Sequence, residues 1–383
     1  MSGTSLDGID GVLVRIDRPT AKACEASNAT SALRLQVEQH AFTPFDDAFR
    51  RELMALNTPG DNELHKAALA GNRLARLYAQ ICTRLLHQAN RTASQVVAIG
   101  AHGQTVRHRP LEFDADPAQG QRAIGYTLQL NNPALLAELS NIDVVADFRS
   151  RDLAAGGQGA PLVPAFHQEI FGDVGQTVAA LNIGGISNLS VIQASGHVTG
   201  FDCGPGNALM DYWCQQHTGH SFDHSGQWAA SGQVIPTLLS ALLAEPYLHA
   251  PAPKSTGRDL FNPTWLAQHL AAHRQAGAVD VQATLCEYTA RVCAQDFLRY
   301  AAQAGELIVC GGGALNLFLM QRLASSLPGV RVSSSKDHGL PPLQVEAAAF
   351  AWLAYKAVHR ETASLESVTG AQGARVLGAI YPR

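Results

Sequence analysis

LNIGGISNLSVI (residues 181–192) sets a glycine pair between two apolar runs, the second alternating with polar residues. This pattern reads as a glycine turn entering a strand, and such a hairpin points backbone N–H groups where phosphate oxygens can meet them. Two further stretches carry the same kind of turn. MSGTSLDGID (1–10) runs on into the strand-like GVLVRI (11–16). LIVCGGGALN (307–316) reads as strand, tight turn and helix, and its Gly311, Gly312 and Gly313 leave room for a flat or anionic ligand to approach the backbone. Taken singly, each stretch is equally well read as an ordinary turn between two elements. Their order along the chain carries more weight than any one of them.

The chain has 383 residues, more than one hydrophobic core usually serves, so two domains are expected. Apolar content of 46% against 16% charged residues describes a well-buried globular protein. A formal charge of −4 without any basic run argues against nucleic acid as a partner. No apolar run approaches a membrane span and no signal-peptide pattern opens the chain, so a cytoplasmic protein without membrane contact is expected. The seven cysteines (Cys24, Cys82, Cys203, Cys214, Cys286, Cys293, Cys310) contain no C-x-x-C pair, which indicates neither a disulfide framework nor a zinc knuckle.

Strand patterns are expected at 33–45, at 96–106 (VVAIGAHGQTV) and at 142–148 (IDVVADF), with exposed loops at 18–31 and 109–121. Asp61 is read as the cap of a long helix in which Leu64, Leu74, Leu77, Ile81 and Leu85 form an apolar stripe. Gly71 costs that helix roughly 1 kcal/mol relative to alanine, which implies a close neighbour. The strand pattern restarts at TVAALNIGG, so a domain boundary is placed near 165–175. Helices are expected at 206–217, 232–244, 263–275, 282–303 and 345–358. Asp202, in FDCGPGN, sits where glycines and a proline would hold a carboxylate on an exposed turn. On the residues alone the plainer reading is an aspartate bonding its own turn. His217, His220 and His224 straddle a glycine and lack a cysteine partner, which disfavours a zinc site.

The ordered glycine turns are similar to those of the acetate kinase, sugar kinase, Hsp70 and actin superfamily. The strings MSGTSLDG, HGQTV (102–106), DFRSRDLAAGGQGAPLVP (147–164), FDCGPGNALMD (201–211), STGRDLFN (255–262) and VEAAAFAWLAY (345–355) together resemble the anhydro-N-acetylmuramic acid kinases over nearly the whole chain. The resemblance implies an α/β, two-domain actin-like ATPase fold with a nucleotide cleft between the domains. Residues 1–170 with 345–383 would hold the first phosphate loop and part of the sugar pocket. Residues 171–344 would hold the second phosphate hairpin, the catalytic aspartate and the adenosine turn. In that family an apolar strand of the type Y-I-G-x precedes M-S-G-T, so such a strand before Met1, or another segment filling its edge, is expected.

The implied activity is an ATP- and Mg²⁺-dependent kinase that opens the 1,6-anhydro ring of 1,6-anhydro-N-acetylmuramic acid and phosphorylates O6, with a homodimer as the implied assembly. An ordinary hydroxyl-phosphorylating sugar kinase and a non-catalytic actin-like switch remain the alternatives. By resemblance Asp202 is the catalytic base, and Glu346 is its companion, orienting a water and raising the pKa of the first carboxylate. Ser2, Gly3, Thr4, Ser5, Leu6, Asp7, Gly8, Ile9 and Asp10 would wrap the phosphates from one side. Gly184, Gly185, Ser187 and Asn188 would meet them from the other, with Gly311, Gly312, Gly313 and Asn316 at the adenosine. His102, Gln104, Thr105, Arg149, Gln158 and Pro161 would line the sugar pocket, Arg149 matching a carboxylate in bidentate fashion. Lys254 and Arg258 would approach phosphates or form a solvated loop. The usual D-x-G-T reads M-S-G-T here, so the metal ligands are unassigned, with Asp7, Asp147 and Asp202 the nearest by motif.

Overall fold

The computed structural model describes residues 1–3, 6–18, 33–113, 115–173, 175–257 and 259–383. Thr4, Ser5, Cys24 and Arg258, and nearly all of the loop expected at 18–31, lie outside the described residues. The strands are β1 (Gly8–Asp17), β2 (Arg34–Pro44), β3 (Ile99–Gly100), β4 (Gln104–Pro110), β5 (Gly125–Leu130), β6 (Val144–Ala146), β7 (Val178–Ile183), β8 (Ile186–Ile192), β9 (Val198–Pro205), β10 (Glu306–Cys310), β11 (Arg331–Ser334) and β12 (Ala379–Tyr381). The helices of eight residues or more are α1 (Asp47–Ala55), α2 (Glu63–Gln88), α3 (Pro133–Ser140), α4 (Val163–Phe171), α5 (Ala208–Thr218), α6 (Pro236–Leu243), α7 (Pro263–Leu270), α8 (Ala278–Tyr300), α9 (Leu317–Ser326) and α10 (Val345–Val358). The chain is mixed α/β, and it divides into two compact units, Met1–Ile170 with Glu346–Arg383, and Phe171–Val345.

In the first unit β1 pairs antiparallel with β2 from Gly8↔Pro44 to Asp17↔Arg34, with one register shift at Leu13/Val14. Helix α2 lays Leu74, Tyr78, Ile81 and Leu85 into a core shared with Ile9, Phe49, Leu53 and Val144. Asn62, in a left-handed conformation, precedes α2 in the place expected of Asp61. A Cβ on Gly71 would sit 3.0 Å from the Asn131 carbonyl oxygen, so that glycine lets the helix reach the backbone before α3. The run expected as one strand at 96–106 breaks at Ala101: β3 joins a three-stranded sheet of order β12-β6-β3, while β4 leaves it to form a hairpin with β5. That hairpin also takes up Arg109 and Pro110, the first two residues of the loop expected at 109–121. Alternation was the missing cue, because Arg107, His108 and Arg109 put charge on the strand.

The second unit is a five-stranded sheet of order β11-β10-β7-β8-β9, parallel between β11, β10 and β7 and antiparallel between β7, β8 and β9. Ala179, Ala180 and Leu181 of β7 are all fully buried, so both faces of the central strand are covered there, and its sequence is apolar without a break from Val178 to Leu181. Helix α8 is the main cover. Leu285, Tyr288, Val292 and Phe297 of that helix pack in one core with Leu189, Phe201, Cys203 and Leu307 of the sheet. Burying the larger of these side chains stabilises the unit by roughly 1.5–3 kcal/mol each.

Candidate functional site

The first glycine loop is closed by pairing between Met1 and Asp10: the Asp10 N–H donates to the Met1 carbonyl at 2.8 Å, and the Met1 amino group donates to the Asp10 carbonyl at 2.7 Å. Within it the Leu6 N–H donates to the Gly3 carbonyl at 3.3 Å, and Leu6 sits in the left-handed region at φ 58°. That conformation costs a leucine roughly 1–2 kcal/mol, and burial of its side chain in the core offsets it. The Ser2 hydroxyl is already used by the fold. It donates to the Gly103 carbonyl at 3.2 Å and accepts from the Tyr78 phenol at 2.9 Å, which burial pushes up to about 12. Gly8 serves the strand pair as well, since a Cβ there would lie 2.4 Å from the Thr43 carbonyl oxygen. Ser2, Leu6, Gly8 and Ile9 thus hold the loop in place, while Gly3 and Asp7 lie on its accessible side. Asp10 is half-buried, with Oδ1 3.0 Å from His40 Nε2, and burial holds its carboxyl above the ordinary range.

His102, Gln104, Arg149 and Glu346 gather in the same unit. His102 is buried against Phe350, their rings 4.5 Å apart. Its Nδ1 lies 2.8 Å from the Gly103 carbonyl and so carries the hydrogen, which leaves Nε2 to accept from Arg149 Nε at 3.0 Å. Burial, and then the Arg149 charge, hold the imidazole well below its usual pKa, so it is neutral. His102 therefore orients the guanidinium, and Arg149 Nη1 is fixed by the Gly159 carbonyl at 2.7 Å. Burial lowers the Arg149 pKa to about 10 against the pull of Glu346 and Asp152, which still leaves it charged at neutral pH. Glu346 lies in the first turn of α10 and is exposed, yet enough protein surrounds the carboxyl to raise its pKa, with Arg149 pulling it back.

Gln104 Nε2 donates to the Gly3 carbonyl at 3.1 Å, while its Oε1 is buried without a hydrogen-bond donor among the described residues. Thr105 Oγ1 accepts from Gln129 at 3.3 Å. The Gln158 N–H donates to the Thr369 carbonyl at 2.8 Å, its side chain exposed, and half-buried Pro161 follows at the end of the same loop. The anchor of that loop is Asp152, one of the charges at the end of the strand expected at 142–148 that mark candidate site residues. Asp152 is fully buried, its Oδ2 accepting from the Gly159 N–H at 2.7 Å and its Oδ1 from the Thr369 hydroxyl at 2.9 Å. Asp147 Oδ1 accepts from the Ser150 hydroxyl at 2.5 Å, as a turn cap does. A cavity of about 580 Å³ in this unit is lined largely by apolar groups such as Val12, Val14, Ile99, Ala351 and Tyr355. Asp10 alone of the candidate residues reaches it, so size does not mark the chemistry here.

In the second unit the expectation of an exposed turn at Asp202 is corrected. Asp202 is half-buried on β9, opposite Asn188 of β8, and the register shifts at Ser187/Asn188 so that Gly204 faces Ser187. This bulge leaves Cys203 as the extra residue, with its side chain fully buried in the core. Both main-chain groups of Asp202 are bonded, its N–H to the Lys254 carbonyl at 3.0 Å and its carbonyl to the Tyr247 phenol at 2.7 Å. Its Oδ2 accepts from the Ser255 hydroxyl at 3.0 Å and the Thr256 N–H at 3.1 Å. Burial raises the Asp202 pKa, and these two hydrogen bonds and the Lys254 charge limit the rise. Such a carboxylate is a stronger proton acceptor than one in the ordinary range.

The hairpin turn is tied to the start of α5, the Asn207 N–H donating to the Gly184 carbonyl at 2.8 Å and the Gly206 N–H to that of Gly185 at 2.9 Å. Gly311 and Gly313 were read as clearing a path for a ligand. They also meet a nearer demand: a Cβ at Gly311, where φ is 77°, would lie 2.4 Å from Asn182 Oδ1, and one at Gly313 would lie 2.3 Å from Ile183 Cγ2. Gly312 is less confined, 3.3 Å from Asn207 Nδ2 on the same test. Asn316 caps α9 by accepting from the Leu319 N–H at 3.0 Å. Lys254 is no solvated loop residue, being buried in an ion pair with Asp296. His217 packs against Trp213 in a tilted arrangement, their ring centres 4.0 Å apart.

A family model described as anhydro-N-acetylmuramic acid kinase matches residues 1–383. The chain is 63% identical over 387 residues to the anhydro-N-acetylmuramic acid kinase of Variovorax paradoxus (strain S110), covering 100% of this chain and 97% of that one. It is 56% identical over 402 residues to the protein of the same name from Albidiferax ferrireducens, covering 100% and 98%. Among solved structures, a ROK hexokinase from Thermus thermophilus aligns over 91% of this chain and 100% of its own, at 13% identity and a TM-score of 0.34. With its whole length matched by the family model and by these relatives, the chain belongs to the anhydro-N-acetylmuramic acid kinase family.

Proposed function

We infer that this chain is an ATP-dependent kinase that converts 1,6-anhydro-N-acetylmuramic acid to N-acetylmuramic acid 6-phosphate, a step in the recycling of cell-wall amino sugar. Membership of the family supports the substrate, and the single structural observation that carries the mechanism is Asp202, a half-buried carboxylate with a raised pKa beside the Ser187–Asn188 hairpin. In the anhydro sugar O6 is an ether oxygen with no proton to give. A base cannot activate it directly. Asp202 therefore takes a proton from a water that attacks C1, the C1–O6 bond breaks with its electron pair moving to O6, and O6 bonds the γ-phosphorus as ADP leaves. Water, sugar and ATP thus give the sugar 6-phosphate and ADP, with one proton released.

Glu346 would orient that water, and Arg149, held by His102 and Gly159, would bind the lactyl carboxylate. Gln104, Thr105, Gln158 and Pro161 would line the sugar pocket, the buried Gln104 Oε1 offering an acceptor to a sugar hydroxyl. Gly3 and Asp7, with Thr4 and Ser5, would wrap the phosphates of ATP, as would Gly184, Gly185, Ser187 and Asn188, and Gly312 would meet the adenosine. Mg²⁺ would accompany ATP: the accessible Asp7 is a hard oxygen donor of the kind it takes, and the ion would neutralise phosphate charge. Among the described residues no helix is long and apolar enough to cross a membrane. A cytoplasmic homodimer is proposed by analogy with the family.

The test is ATP turnover with anhydro sugar, with an ordinary hydroxyl-bearing amino sugar and with no sugar. ADP release that depends on the anhydro sugar and yields its ring-opened 6-phosphate is expected. Equal or faster turnover on the hydroxyl-bearing sugar would replace this reading with the ordinary sugar kinase, and ATP binding without turnover on any sugar would favour the switch.

A further inference from the structure

The segment Lys254–Thr256 meets Asp202 at three points. The Lys254 carbonyl accepts from the Asp202 N–H, and Ser255 Oγ and the Thr256 N–H both donate to Asp202 Oδ2. Among the described residues Oδ1 accepts no hydrogen bond, so the clasp divides the carboxylate into a held oxygen and an available one. The segment is itself anchored. Lys254 Nζ lies 2.9 Å from Asp296 Oδ2 and 3.2 Å from Oδ1, both side chains 3% exposed, and it also donates to the Leu248 carbonyl at 3.2 Å. The ammonium sits 5.3 Å from the centre of the Tyr247 ring, whose phenol donates to the Asp202 carbonyl. Burying an ion pair rarely adds net stability over apolar groups of the same volume, so this pair is better explained by what it fixes.

We propose that Ser255 is a positioning residue for Asp202: its hydroxyl, on a segment pinned by Lys254 and Asp296, holds Oδ2 so that Oδ1 faces the attacking water. This rests on the reading of Asp202 as the base. Among the described residues the charged and titratable groups coupled to the carboxylate are Lys254 and Tyr247, with Asp296 behind Lys254, and none of them is altered by changing Ser255. Ser255 is exposed, so its replacement leaves the fold intact.

Removing a hydrogen bond to a charged group corresponds to a loss of about ten- to a hundredfold, so Ser255→Ala is expected to lower kcat by about that factor. KM values for ATP and sugar should stay within about threefold, because no ligand contact is removed. The hydroxyl favours the charged carboxylate, so its loss should also move the acid limb of the kcat/KM profile to higher pH. Ser255→Thr, which keeps the hydroxyl, should restore both. An unchanged kcat and an unmoved limb in Ser255→Ala overturn the proposal, as does a loss confined to KM. Asp202→Asn measured alongside separates the two claims: if it is active, the base has been misassigned, whereas an inactive Asp202→Asn beside an unaffected Ser255→Ala removes only the clasp.

Discussion

Asp202→Asn is the substitution that most sharply separates chemistry from structure. Both donors to the side chain, Ser255 Oγ at 3.0 Å and the Thr256 N–H at 3.1 Å, converge on one oxygen, Oδ2. An asparagine can present its carbonyl oxygen there and turn its NH₂ toward the water position, so no donor is orphaned and the main-chain bonds to Lys254 and Tyr247 are untouched. What disappears is the proton acceptor. Loss of a positioned general base costs about 10²- to 10⁴-fold in rate, or roughly 2.7–5.5 kcal/mol of barrier. Steady-state turnover with the anhydro sugar should fall by at least about a hundredfold on that scale, while affinity for a non-hydrolysable ATP analogue, measured by calorimetry, and the melting temperature should hardly change. In the parent enzyme the activity should rise as pH climbs through the raised pKa of Asp202, because only the deprotonated form accepts the proton. A variant within about tenfold of the parent, less than ~1.4 kcal/mol, would refute the assignment.

Two further predictions concern the frame that holds the site. Gly313→Ala places a methyl 2.3 Å from Ile183 Cγ2 and 2.4 Å from its Cβ, and overpacking of this kind costs about 1–3 kcal/mol. Its unliganded melting temperature should fall, and an unchanged value would return Gly313 to a purely ligand-facing role. Glu287, buried on α8, accepts from Arg291 at 2.7 Å and from Arg322 at 2.6 Å. Burial alone would raise its carboxyl, but those hydrogen bonds outweigh it and hold the pKa below the ordinary range. The stabilisation is therefore present above the ordinary glutamate pKa and lost as pH falls through the depressed one. Chemical denaturation across pH should show the parent's advantage over Glu287→Gln at neutrality shrinking in acid, and a difference independent of pH would contradict it.

The legible parts of the fold were those where a periodic apolar pattern was uninterrupted. Helix α2, with its stripe from Leu74 to Leu85, and β7, with its buried run from Ala179 to Leu181, could be read directly from residue order. The β4–β5 hairpin could not, because Arg107, His108 and Arg109 hide strand alternation under charge, and Arg107 finds its partner in the distant Glu63. Asp202 was found by motif but misplaced on a turn, since FDCGP resembles a turn until the β8 register shows that a bulge absorbs Cys203. The contacts that fix the candidate site are the least visible. His102 on Arg149, Asp152 on Gly159 and Lys254 on Asp296 join residues 47, 7 and 42 positions apart, and no local spacing announces such pairings. Glycines misled in a different way: those at 311 and 313 are demanded by Asn182 and Ile183 behind them as well as by any ligand in front.

The central claim is that water opens the anhydro ring at C1 while the former bridge oxygen receives the phosphoryl group. It is tested most directly by running the reaction in ¹⁸O-water, quenching rapidly, and locating the label by mass analysis of sugar fragments. The account predicts ¹⁸O in the C1 hydroxyl of the sugar phosphate, ahead of anomeric exchange, and none in the phosphate ester at O6. Label in the ester oxygen, or a phosphorylated product that retains the anhydro ring without label, would contradict it.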